Sequence, residues 1–350
     1  MDTIMQQFGF SDRYAALAAA HPEHIPGRIL AQEKGLYRLV TDRGEKLAEV
    51  SGRFRHQAST LSDYPAVGDF VMADWNDAGG NAVIHHVLSR RSCFTRKAAG
   101  GSREEQVVAA NIDTLFLCMS LNNDFNLRRL ERYLSIAWDS GASPVIVLTK
   151  ADLCQDLPGC LRQVDSVAMG VDTLVTSALS QDGQARLTPW LLKGRTVAFI
   201  GSSGVGKSTL INCLLGEARL ETQGLRNDDK GRHTTTHREL IHLPGGALVI
   251  DTPGMRELGM WDSDAGIEQA FAEIEELAAR CRFSDCSHQS EPGCAIRRAL
   301  EDGSLPQARW ESWQKLRAEA AYAADSDSYL AAKEQKFRDI ALFSRRNRKR

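Results

Sequence analysis

The chain has 350 residues, 43% of them hydrophobic, and 43 Lys and Arg face 45 Asp and Glu. This length suits about two or three domains with ample cores, and the net charge of −2 argues against a chain that is a generic polyanion binder over its whole surface. No run of about 18 apolar residues occurs, so no membrane-spanning helix is expected.

Residues 1–24 read as a short polar leader with one Ala-rich helical piece, Tyr14 to Ala20. Asp12 and Arg13 interrupt the only candidate apolar stretch, so no signal peptide is expected and a cytoplasmic protein is the default. From Gly27 to about Arg96 short alternating runs (36–40, 47–50, 70–73 and 83–87) are split by turn signals such as Asp42-Arg43-Gly44. Strands this short and this evenly spaced predict a small β-barrel over 25–100. Ala98 to Ser102 reads as a linker.

From about Val107 to 266 the pattern changes to short, continuous apolar strands alternating with helices: 114–119, 145–148, 173–175, 197–200 and 248–250. Such runs are expected of parallel strands buried on both faces, hence an open α/β sheet. A helix over Leu127 to Ser140 sets Leu130, Tyr133, Leu134, Ala137 and Trp138 on one face.

Thr149-Lys150-Ala151-Asp152 follows the second strand and fits a guanine reader. Its Asp carboxylate accepts hydrogen bonds from guanine N1 and N2, and adenine, lacking that pair of donors, leaves a desolvated charge unpaired. Ser177-Ala178, after the third strand, fits the element whose backbone N–H meets guanine O6. The usual first residue of the reader is Asn. Thr149 keeps a hydroxyl and loses the amide, which predicts weaker guanine affinity.

Gly201-Ser202-Ser203-Gly204-Val205-Gly206-Lys207-Ser208, with Thr209 opening a helix, is a phosphate-binding loop. Gly201 and Gly206 permit close backbone approach, successive N–H groups face the phosphates, Lys207 reaches the β- and γ-phosphates, and the Ser208 hydroxyl binds magnesium. In Gly231-Arg232-His233-Thr234-Thr235-Thr236 a threonine can close on magnesium; Thr235 is preferred, with Thr234 and Thr236 left open. Asp251-Thr252-Pro253-Gly254 follows a strand and suits a magnesium-shell Asp251 and a γ-phosphate-sensing Gly254. Met255 stands where many GTPases carry a water-orienting Gln. A thioether cannot do that, so His233 is the nearest candidate for proton handling, with packing or a partner contact as its other reading.

From 267 to 350 the chain turns helical around Cys281, Cys286, His288 and Cys294. Three thiolates and one imidazole suit a closed, structural zinc site. Cys93, Cys118, Cys154, Cys160 and Cys213 are scattered, as expected in a reducing compartment. Five of the last seven residues, 344–350, are basic, which fits either a solvated tail or a nucleic-acid contact.

The order of these motifs is itself informative. The base reader precedes the phosphate loop, the reverse of an ordinary GTPase, so the chain reads as circularly permuted. With Val67-Gly68-Asp69, Ala109-Ala110-Asn111-Ile112-Asp113 and the stretches 201–209, 231–236, 251–259 and 281–294, it resembles the ribosome small subunit-dependent GTPase A family from about Gly27 to beyond Cys294. The resemblance implies an OB-fold barrel, GTP hydrolysis to GDP stimulated by the 30S ribosomal subunit, a 16S rRNA partner and a role in late subunit maturation. An apolar residue at the position of Met255 is usual there, whereas Thr149 departs from the usual Asn. Nothing demands more than a monomer. The competing reading is a nucleotide-gated RNA-binding placeholder with little turnover, or a divergent paralogue with another ribonucleoprotein partner.

Overall fold

A computed structural model describes residues 2–33, 35–97, 105–122, 124–177, 182–216, 238–251 and 264–320. Two compact units divide the chain, Met1–Leu258 and Gly259–Arg350.

In the first unit the strands β1 (Ile25–Glu33), β2 (Leu36–Thr41), β3 (Gly44–Val50), β4 (Phe70–Asp74) and β5 (Ala82–Val87) close into a barrel in the order β1-β2-β3-β5-β4-β1. Closure removes sheet edges. Alternate residues point inward, so Ile29, Leu39, Ala48, Val71, Ala73 and Ile84 fill the interior. Helix α3 (Gly52–Gln57), capped by Ser51, packs Phe54 edge-on against Tyr64 beside that core.

The predicted polar leader is instead docked. Helices α1 (Ile4–Gln7) and α2 (Asp12–Ala18) bury Met5 and Tyr14 against Phe70 and Met72 of β4. The Tyr14 hydroxyl donates to Asn111 Oδ1 at 2.9 Å, and the buried Arg28 guanidinium donates to the carbonyls of Phe8 and Gly68 and to Thr196 Oγ1. Burial lowers the Arg28 pKa to about 10, so it stays charged at neutral pH.

Strands β6 (Cys93–Lys97) and β7 (Glu105–Ala110) form a separate antiparallel ribbon. Residues 107–110, just ahead of the first strand of the α/β sheet, pair with β6. The linker residues 98–102 lie outside the described residues. Asn111, at φ 57°, turns the chain from the ribbon into the sheet, accepting from Arg91 N and donating to the Gly68 carbonyl.

The α/β sheet runs β10 (Thr173–Val175), β9 (Ser143–Thr149), β8 (Thr114–Ser120), β11 (Thr196–Ile200), β13 (Leu248–Asp251), β12 (Glu239–His242). All pairings are parallel except β12 with β13. All seven residues of β8 are buried, as its uninterrupted apolar run requires. The antiparallel β12, unforeseen in the sequence, meets the barrel at Ala31↔Glu239, beside an Arg38–Glu239 ion pair.

Helix α4 (Leu127–Ser140) follows β8 with the predicted bounds. Asn126 caps its start by accepting from Arg129 N, and Gly141 at φ 80° ends it. Leu130 and Leu134 are buried on its inner face, each contributing about 2 kcal/mol through removal from water. On the other sheet face α7 (Lys207–Leu215) sets Ile211 and Leu214 against Phe116, Val145 and Val197. Helix α6 (Asp182–Leu187) adds Leu187 to the same cluster, and α5 (Leu157–Asp165) connects β9 to β10.

The second unit holds α8 (Asp264–Ala270), α9 (Ala272–Ala278), α10 (Ala295–Glu301) and a helix over residues 307–320. Ile267, Phe271, Ile274, Ile296 and Trp310 form its core. No helix among the described residues is long and apolar enough to cross a membrane.

Candidate functional site

Parallel strands deliver their C-terminal ends to one edge of a sheet, which is where α/β proteins bind ligands. Five parallel strands, β10, β9, β8, β11 and β13, do so here. β11 runs into the phosphate loop and β9 into the base reader, so strands about 50 residues apart in sequence set the two motifs side by side.

Gly201 has no room for a side chain: an added Cβ would lie 2.5 Å from the Cys118 carbonyl oxygen of β8. Gly204 and Gly206 have φ of 74° and 106°, a region that favours glycine. The loop thus hugs the end of β8 and leads into the start of α7. Lys207 Nζ donates to the carbonyls of Gly201 at 2.6 Å and Ser202 at 2.7 Å, folding the ammonium back over the loop. Ser208 and Thr209 follow in the first turn of α7 and are half-buried. Ser203 is exposed and Val205 is buried. Beneath the loop, burial pushes the Cys118 thiol up to about 12 and makes it inert.

Thr149 ends β9 and is buried. Its hydroxyl donates to the Val205 carbonyl at 2.6 Å, so the reader's first residue is hydrogen-bonded to the phosphate loop. Lys150 adopts φ 56°, a left-handed turn that a residue with a Cβ tolerates at some cost. Ala151 N donates to the Thr176 carbonyl, joining the reader to the end of β10. The exposed Asp152 carboxylate accepts from the Ser177 hydroxyl. Thr149, Lys150, Asp152 and Ser177 therefore gather in one place, next to the loop. Asp251 ends β13, beside β11, and is half-buried. Ala178, His233, Thr235, Gly254 and Met255 lie outside the described residues.

Two residues at this site were not singled out for it in the sequence. On α4, Arg129 donates to Ser202 Oγ and to Asp124 Oδ2, and Tyr133 hydrogen-bonds Ser202. Their i, i+4 spacing places both on the helix face toward the loop. The helical pattern showed Tyr133 only as an apolar-face residue.

In the second unit Cys281, Cys286, His288 and Cys294 bring their ligand atoms within 4.8 Å of one another. Zinc–sulfur and zinc–nitrogen bonds of about 2.3 and 2.0 Å imply tetrahedral S···S and S···N separations of about 3.8 and 3.5 Å. The Cys281–Cys294 sulfurs are 3.9 Å apart, and His288 Nδ1 is 3.6 and 3.5 Å from them. Ala295 N and Arg297 N each donate to one of these sulfurs at 3.4 Å. Burial works to raise the Cys281 thiol, yet amide donors, chiefly Ala295, leave it below its usual range. The donor set and its spacing fit a tetrahedral thiophilic ion. His288, at φ 60°, stands edge-on to Trp310, and Gly293, at φ 78°, supplies the turn that returns Cys294. The basic residues 344–350 lie outside the described residues.

The RsgA GTPase family model matches residues 87–261. The small ribosomal subunit biogenesis GTPase RsgA 2 of Lactiplantibacillus plantarum is 50% identical over 317 residues, 90% of this chain and 89% of its own. The small ribosomal subunit biogenesis GTPase RsgA of Opitutus terrae is 48% identical over 91% of this chain and 90% of its own. The crystal structure of YjeQ from Thermotoga maritima superposes with a TM-score of 0.63 at 27% identity, covering 85% of this chain and 98% of that one. The crystal structure of YloQ, a circularly permuted GTPase, does so at 0.59 and 26% identity, with 87% and 97% covered.

Proposed function

The chain belongs to the RsgA GTPase family and is a GTP hydrolase, and on that premise we propose that it binds the 30S ribosomal subunit and hydrolyses GTP to GDP during late small-subunit biogenesis. The observation that carries the nucleotide half of this reading is the hydrogen bond from Thr149 to Val205, which joins base reader and phosphate loop despite their reversed order in the chain.

In this reading the amides of 201–209 hold the phosphates and Lys207 leaves the Gly201 and Ser202 carbonyls to meet the β- and γ-oxygens. Asp152 accepts from guanine N1 and N2, with Lys150 over the base and Ser177 and Ala178 at its edge. A divalent ion such as magnesium, bound with the nucleotide, neutralises charge on the phosphates. Ser208 and Thr235 would hold it, with Asp251 in its surroundings. Gly254 senses the γ-phosphate, and His233 handles the water's proton where Met255 cannot.

We read the barrel over 25–100 as an OB-fold that contacts 16S rRNA, with 107–266 as the GTPase domain and 267–350 as a zinc-knuckle and helical domain carrying the basic tail; the barrel's strand order supports the first assignment. One structural zinc at Cys281, Cys286, His288 and Cys294, a monomeric state and a cytoplasmic location belong to the same reading. The test is GTP turnover by the purified chain with and without 30S subunits, with ATP as control. Stimulation by subunits, confined to GTP, is expected. Slow turnover that subunits leave unchanged refutes the subunit-dependent enzyme and favours the placeholder, toward which Met255 also leans.

A further inference from the structure

Four histidines meet on the outside of the barrel. His21 and His24 lie on the segment between α2 and β1, and His85 and His86 are consecutive in β5. Consecutive strand residues normally face opposite ways. Here the β4–β5 register passes from Met72↔His86 to Ala73↔Ile84, leaving His85 as the extra residue of a bulge. A bulge re-aims a side chain, and both rings reach the same patch: His21 stacks on His86 at 3.9 Å and His24 on His85 at 4.1 Å.

One carboxylate sits between two of these rings. Asp74, the last residue of β4, stands next to the start of β1, where Ile25 pairs with Ala73. Its Oδ1 is 2.7 Å from His24 Nδ1 and its Oδ2 is 3.0 Å from His85 Nε2. The two imidazoles are largely buried, at 12% and 24% side-chain exposure, whereas Asp74 is 53% exposed and able to adjust. Glu23 lies 3.6 Å from His24 Nε2.

We propose that His24, Asp74 and His85 form a second metal site, on the barrel, for a divalent transition-metal ion. Two imidazoles and one carboxylate are a donor set suited to zinc, cobalt or nickel, and too nitrogen-rich for magnesium or calcium. Bonds of about 2.0–2.2 Å separate tetrahedral ligands by about 3.3–3.6 Å, so the present spacings of 2.7 and 3.0 Å would open by about 0.3–0.9 Å, with the rings turning their lone pairs inward. The ion takes the place of the protons that His24 and His85 now share with Asp74. Three protein ligands leave the outer positions to water. Bound metal would fasten the segment carrying α1 and α2 to β4 and β5.

The experiment is cobalt titration of the full chain after chelator treatment. Thiolate ligation gives intense charge-transfer absorption, whereas a nitrogen and oxygen site gives only weak d–d bands, so the two sites are told apart in one sample. The wild-type chain is expected to take up one equivalent without added charge-transfer intensity, and His24→Gln/His85→Gln to lose that equivalent while keeping the thiolate band. Asp74→Asn, which keeps the side chain's shape, is expected to weaken the same equivalent. Equal uptake by wild type and the double variant overturns the proposal and leaves Asp74 as a hydrogen-bond acceptor for two histidines. Loss of the equivalent in His21→Gln/His86→Gln, with His24→Gln/His85→Gln unaffected, overturns the assigned triad.

Discussion

Replacing Thr149 by Val tests how far the base reader shapes the phosphate loop. Val has nearly the same shape, so the 4%-exposed position stays filled, but the donor to the Val205 carbonyl at 2.6 Å is lost. A buried acceptor deprived of its partner costs about 1–3 kcal/mol. Part of that appears as lower stability of the free protein. The rest appears on binding, because the loop must then be ordered by the nucleotide, and ordering one residue costs about 1–2 kcal/mol. The affinity for GTP and GDP should fall by about 5- to 30-fold, equally for both because the loop cradles phosphates common to both. Titration with fluorescent GTP and GDP analogues measures this, with a thermal melt of each variant alongside. Thr149→Ser, which keeps the hydroxyl, should bind as wild type does, and Thr149→Asn, whose amide also donates, should bind at least as tightly. A Val variant that melts earlier yet binds both nucleotides as tightly as wild type would show that the hydrogen bond serves the fold alone and refute the coupling.

Lys207→Ala removes a charged donor worth about 1.5–3 kcal/mol, so GTP binding should weaken by about 10- to 150-fold and turnover should vanish in a phosphate-release assay. Asp152→Ala should lower GTP affinity while leaving the weak affinity for ATP unchanged, measured by competition against the labelled analogue. Gly68→Ala and Gly35→Ala form a matched pair: both positions have positive φ, but only at Gly68 would the new Cβ meet the Ala110 carbonyl, at 2.2 Å. Gly35→Ala should cost about 1–2 kcal/mol and Gly68→Ala clearly more, read as denaturation midpoints. Chelation at neutral pH should release zinc from the Cys281–Cys294 cluster and reduce helical circular dichroism from the second unit, restored by added zinc.

Legibility in the sequence followed locality. The phosphate loop, the reader and the Cys/His cluster are short contiguous patterns whose spacing alone fixes which donors converge, and the structure sets their described residues at strand ends, a helix start and a tight loop. The buried strands read at 114–119 and 145–148 were equally plain, because parallel strands covered on both faces are apolar along their buried length. Thr149 read as a loss when taken alone, since the sequence cannot show that its hydroxyl faces Val205, 56 residues on.

What only the tertiary structure decided was long-range. The leader reads as polar because α1 and α2 bury few residues, yet Met5 and Tyr14 find a surface on β4, and Tyr14 finds Asn111, 97 residues away. Arg28 joins the leader, the barrel and β11 through one guanidinium, with Thr196 lying 168 residues on. The histidine patch depends on a one-residue slip between β4 and β5. A motif keeps its partners within a few residues and can be read along the chain. Docking, register and bulges are set by which distant surfaces exclude water together, and a linear sequence does not display those distances.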